Sequence, residues 1–143
     1  MKYYRIIYND NKENRIEISE TQFKKEVGDV RCSINAKEEL KREIRDIDSK
    51  VFCAKIRLYV RFYLLGDRFF SKEKECTLKK GYSKKDFENF LEELNFEYYD
   101  GFGSQELFGT VWLKDGSWLE RSEYDGSENW VLRTIPEIPK ELL

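Results

Sequence analysis

"KIRLYVRFYL", residues 55–64, alternates without a break. Ile56, Leu58, Val60, Phe62 and Leu64 fall on one side of an extended chain, and Lys55, Arg57, Tyr59, Arg61 and Tyr63 on the other. Wound into a helix, both sets would scatter around the axis. The stretch therefore predicts a long strand with one face in a core and the other in water, the habit of an antiparallel sheet.

Upstream, "KYYRIIY" (2–8) and "RIEI" (15–18) predict two more strands, joined through "NDNKEN" (9–14). "SETQFKKEV" (19–27) opens with a capping serine and predicts a short helix ending near Gly28. "AKEELKREIRDI" (36–47) predicts a second helix, capped by Ser33 or Asn35, with Leu40, Ile44 and Ile47 on its apolar stripe. Glu39, Glu43, Lys41 and Arg45 are expected on its wet faces.

Downstream, Gly66-Asp67 turns the chain, and "RFFSKEKECTL" (68–78) is read as a hairpin around Lys72-Glu73-Lys74. Ser83 followed by Asp86 marks the start of a helix over 84–95, with Phe87, Phe90, Leu91 and Leu94 on one stripe. A loop, "YYDGFGSQE" (98–106), leads to the strand "LFGTVWL" (107–113). Asp115-Gly116 is a two-residue hairpin signal, which sets Leu113 opposite Trp118 and Trp112 opposite Leu119. A second Asp-Gly at 125–126 leads into "NWVLRTI" (129–135). The expectation is one α+β domain over residues 1–143: a mainly antiparallel sheet, two or three helices and a C-terminal three-stranded meander.

Composition bounds the chemistry. With 15% aromatic residues a chain of 143 can fill one core, although 38% of it is charged. The net charge of −2 hides a split: residues 1–85 sum to +8 and residues 86–143 to −10. Cys32, Cys53 and Cys76 are odd in number and form no C-x-x-C pair, which fits a reduced cytoplasmic setting. The most apolar stretch, 51–65, carries Lys55, Arg57 and Arg61, so no membrane span is expected. The absence of histidine removes Ser-His-Asp and Cys-His nucleophiles and every histidine metal site. No phosphate-binding glycine loop opens a helix. Carboxylates are plentiful in Glu120, Glu123, Asp125 and Glu128, as chance provides in a chain with 28 acids, and solvated hairpin edges account for them. No catalytic residue, cofactor or metal is assigned.

Two surfaces remain as binding candidates. Lys55, Arg57, Tyr59 and Arg61, with Lys84 and Lys85 from "KKGYSKK" (79–85), combine cations and stacking rings as single-stranded nucleic acid requires. The plainer reading of that strand face is the solvent side of a sheet. The other candidate is the meander, which holds all three tryptophans, Trp112, Trp118 and Trp130. There Trp118, Arg121, Glu123, Tyr124 and Asp125 supply the residue types enriched at protein contacts, inside an acidic rim that suits a basic partner.

The run W-x-x-R-x-E-Y-D-G-S-E-x-W from Trp118 to Trp130, followed by "IPEIP" (135–139), resembles the tail of small uncharacterised proteins encoded by phages and prophages. That resemblance implies a phage-type accessory protein in the cytoplasm of a bacterial host, a class that includes stoichiometric inhibitors of host defence such as anti-CRISPR proteins. The function expected is a non-enzymatic inhibitor of a host effector, such as a CRISPR nuclease. The alternative is a nucleic-acid-binding accessory protein.

Overall fold

A computed structural model describes residues 1–101 and 103–143, with only the backbone described at position 48. In chain order, strands β1 (Lys2–Asn9) and β2 (Lys12–Ile18) precede helix α1 (Glu20–Val27). A short strand β3 (Ile34–Asn35), helix α2 (Ala36–Glu43) and a single helical turn α3 (Ile47–Lys50) lead to β4 (Val51–Leu64) and β5 (Arg68–Leu78). Helix α4 (Lys84–Glu93), a short β6 (Glu97–Tyr98), and β7 (Leu107–Leu113), β8 (Trp118–Tyr124) and β9 (Ser127–Arg133) follow.

The alternating stretch lies within β4, which pairs with β5 from Ala54↔Leu78 to Leu64↔Arg68. This long hairpin is the spine of a seven-stranded sheet of order β2-β1-β5-β4-β7-β8-β9, antiparallel at every pairing. β5 runs through Lys72-Glu73-Lys74 without turning, against the hairpin expected there. Its pairing with the uninterrupted β4 overrides a local signal that consisted only of charge. The two flanks are staggered: β1 joins β5 at Phe69–Glu73, and β7 joins β4 at Val51–Leu58.

Helices α1 to α4 pack on one face. Ala36 and Leu40 of α2, Ile47 of α3, and Phe87 and Phe90 of α4 share a core with Ala54, Ile56 and Leu58. Phe23 of α1 joins Tyr3 and Phe70 in a second, smaller cluster against Phe62 and Leu64. The predicted apolar side of residues 56–64 is thus the covered side. Burying each Leu or Phe there contributes about 2–3 kcal/mol.

Helix starts follow the caps. Ser19 Oγ accepts from Gln22 N–H at 3.0 Å, and Asn35, not Ser33, caps α2 through Glu38 N–H at 3.1 Å. Ser83 and Asp86 form a reciprocal capping box at 3.0 and 3.1 Å. α2 ends at Glu43, short of the expected 47, because the chain bends at Asp46 (φ 52°) to enter β4, keeping Ile44 and Ile47 buried. Glu39, expected in water, is buried on α2. Tyr98, expected in a loop, is buried in β6 opposite Ile34, and position 102 of that loop lies outside the described residues.

Of the two Asp-Gly hairpins, Asp125-Gly126 (φ 50° and 85°) is the two-residue turn expected, joining Tyr124 to Ser127. The other is longer. Leu113 N–H donates to the Ser117 carbonyl at 2.9 Å, leaving Lys114, Asp115 and Gly116 in the loop, and Gly116 takes φ 89°. Asp115 holds the turn by accepting from Ser117 N–H at 2.9 Å. The extra residue shifts the pairing, so Trp112 opposes Trp118 and Val111 opposes Leu119. The two tryptophans share one face, which corrects the expected pairing with leucines.

Candidate functional site

Because α1, α2, α3 and α4 all lie on one side, the other face of the seven-stranded sheet is free of them. The register places Tyr4 and Tyr8 of β1, Phe69 of β5, and Tyr59 and Tyr63 of β4 on this side. Phe108 and Trp112 of β7 and Trp118 of β8 continue the row beyond β4. Cations lie between the rings. Arg57 sits 5.6 Å from the Tyr59 centroid and 5.4 Å from that of Phe108, and Arg15 sits 4.3 Å from that of Tyr4. Tyr8 and Tyr63 meet Phe69 edge-on, with centroids 5.3 and 5.4 Å away. Ile6, opposite Phe69 on this face, is buried although no helix covers it.

Most cations of the face are already matched across strands. Lys55 pairs with Glu75 at 3.6 Å, Arg133 with Glu120 at 2.7 Å, Arg61 with Glu13, and Arg15 with Glu73. Arg61 also donates to the Tyr59 and Tyr8 hydroxyls at 2.5 and 3.2 Å. Arg57 forms no ion pair among the described residues and is held by its two rings. Lys55, Arg57, Tyr59 and Arg61 therefore do share one open surface. Lys84 and Lys85 do not join it: they open α4, in the helical layer across the sheet.

The meander splits the expected contact residues. Trp118 and Tyr124 lie on the open face beside Trp112, which is 44% exposed, and Asp125 sits at the hairpin tip. Glu123 projects to the other side and accepts Gly126 N–H at 2.6 Å, closing the turn. Arg121 is a correction: its side chain is only 2% exposed, so it supports the fold rather than a contact surface. It reaches Glu39 at 2.6 Å, Glu128 at 2.7 Å and the Tyr98 hydroxyl at 2.8 Å, and its guanidinium lies 4.9 Å from the Trp130 ring centroid. Glu128, taken from the sequence as part of an acidic rim, instead accepts the backbone N–H groups of Glu106 and Leu107 at 2.7 and 3.0 Å. The local pattern of residues 118–124 carries no signal for this network, because two of its partners, Glu39 and Tyr98, are 82 and 23 residues away.

The acids named in the sequence point apart: Glu120 to Arg133, Glu123 to its turn, Asp125 to solvent and Glu128 to Arg121. Burial pushes the Cys76 thiol up to about 11 and also raises that of Cys32, so neither is a ready thiolate at neutral pH. Glu106, at the start of β7, is the perturbed carboxyl. Burial raises it to about 7, the Tyr99 N–H partly offsets this, and nearby Glu128 adds to it. No described helix is long and apolar enough to cross a membrane. Comparison of the chain with protein-family models, curated proteins and solved structures finds no match in any of the three.

Proposed function

We propose that this protein is a non-enzymatic binding module that acts by laying its open sheet face against another protein. The observation that carries this reading is that face: rings and matched ion pairs, uncovered across seven strands. Seven strands spaced about 4.8 Å apart, each about 20 Å long, present roughly 600 Å². That approaches the roughly 800 Å² which each partner contributes to a standard interface. Trp112, Trp118, Tyr63 and Tyr124 supply large contact area at low entropic cost. Pairing of the cations with Glu13, Glu73, Glu75 and Glu120 disfavours a phosphate backbone, which would have to displace those carboxylates.

Within that class, the phage-like tail at Trp118–Trp130 supports a stoichiometric inhibitor of a host defence effector, such as a CRISPR nuclease, in the bacterial cytoplasm. The test is titration of the purified protein into DNA-cleavage reactions of a panel of purified CRISPR nucleases. The expected result is inhibition complete near one equivalent and lost in the Trp112→Ala/Trp118→Ala variant. Sub-stoichiometric inactivation would overturn the non-enzymatic reading, and an unaffected double variant would overturn the surface.

A second reading rests on Arg57, stacked between Tyr59 and Phe108 without an ion pair among the described residues. It predicts single-stranded DNA binding that weakens between 50 and 200 mM salt, by about tenfold or more, and disappears in Arg57→Ala/Arg61→Ala.

A further inference from the structure

β4 is longer than the strand that flanks it. Its pairing with β7 stops at Leu58↔Leu107, with one further bond from Tyr59 N–H to the Glu106 carbonyl at 2.9 Å, while its pairing with β5 continues to Leu64. In an antiparallel ladder the groups facing one neighbour recur at every second residue. The N–H and C=O groups of Arg61 and Tyr63 therefore point to the side that β7 has vacated, and no described residue pairs with them there. A groove of about 550 Å³ runs along this edge, lined by Val30, Arg31, Tyr99, Glu106 and Phe108 as well as β4. Arg31 lies 4.4 Å from the Tyr99 ring centroid and has no ion pair among the described residues.

Edges left open in this way attract foreign strands, and proteins blunt them with charges, prolines or bulges. One outer edge of the sheet is blunted: β2 reads Lys12-Glu13-Asn14-Arg15-Ile16-Glu17-Ile18. The inner edge at 61–64, "RFYL", carries no proline, no bulge and no acidic residue.

We propose that this edge is a docking site for one extended segment of the protein partner, added as a short strand beside Arg61–Tyr63. This rests on the protein-binding reading above and names its mode, strand addition. The free groups of Arg61 and Tyr63 hold the segment's main chain. Side chains on the helix side of the added strand meet Val30, Val60 and Phe62, so apolar residues suit them. Those on the open side lie towards Arg57, which has no ion pair among the described residues, so acidic residues suit them. The segment that fits alternates apolar and acidic residues.

The probe is the synthetic peptide acetyl-(Val-Glu)3-Val-amide, with its N-methylated analogue and the alternating Val-Lys peptide as controls. Binding is followed by amide hydrogen exchange of the full chain. The proposal expects saturable binding, at least tenfold slower exchange at Arg61 and Tyr63, and at least tenfold weaker binding of both control peptides. Tyr63→Pro, which removes an N–H that no strand uses, is expected to keep the fold and lose the peptide. Absence of binding at millimolar peptide, or binding without protection at Arg61 and Tyr63, overturns the proposal. If Tyr63→Pro fails to fold, the N-methylated peptide still decides. Trp112→Ala/Trp118→Ala keeps peptide binding if the two sites are separate, so a failure of the open-face reading and a failure of this edge give different results.

Discussion

Arg121 brings a full charge into the core between Glu39, Glu128 and the Tyr98 hydroxyl, beneath the ring of Trp130. Both terminal nitrogens of the guanidinium are paired, while Nε is buried without a hydrogen-bond partner among the described residues; removing the arginine leaves its carboxylate partners desolvated and unpaired. Arg121→Met is expected to destabilise the protein by about 3–5 kcal/mol, read as a lowered urea midpoint. Trp112→Ala, on the open face, is expected to cost about 1 kcal/mol or less. Equal losses for the two would show that the meander is packed otherwise. Glu106 differs in sign. Its carboxyl is held up at about 7 by burial, whereas in an unfolded chain it titrates near 4.3. Below about pH 4 both states hold the proton and the group has no effect. Between about pH 4 and 7 the unfolded chain releases it first, so stability falls as pH rises, and above about 7 the cost is constant. Glu106→Gln should therefore match the parent near pH 4 and exceed it at pH 8 in urea unfolding. A difference independent of pH would refute this.

Elements were legible where the deciding interaction was local. The alternation over 55–64 is realised in β4, Ser83 and Asp86 cap α4, and Asp125-Gly126 forms the turn that its residues favour. The other Asp-Gly misleads because both a two-residue loop and a longer one satisfy it, and the Asp115–Ser117 bond selects the longer. Gly109 is a feature that its surroundings alone explain. It opposes Ile56 at φ 148°, and an added Cβ would lie 2.4 Å from the Lys55 carbonyl oxygen and 2.8 Å from Ile56 Cα. Gly109→Ala is thus expected to cost about 2 kcal/mol or more, against about 1 for Gly116→Ala, where the space is open and only φ is strained. Thermal unfolding of the two variants checks the order, and a reversal would place strain at the turn instead of at the β4–β7 contact.

Across the whole molecule, the β4–β5 hairpin joins two cores of unequal size, eighteen buried side chains in one and three in the other among the described residues. Cooperative units with less buried apolar surface open at lower free energy. Native-state hydrogen exchange should therefore find the amides of β1 less protected than those of β7, and equal protection would show a single unit. The chain's own order determined the alternating faces, the helix caps and the two-residue turn at Asp125-Gly126, because these depend on neighbours a few residues apart. It also marked Trp118, Tyr124 and the basic side of β4 as surface. Tertiary structure decided that Arg121 turns inward, that Trp112 and Trp118 share a face, and that β4 outruns β7. Each of those depends on pairings between distant segments, whose register is set by loop lengths and by burial that no local pattern encodes.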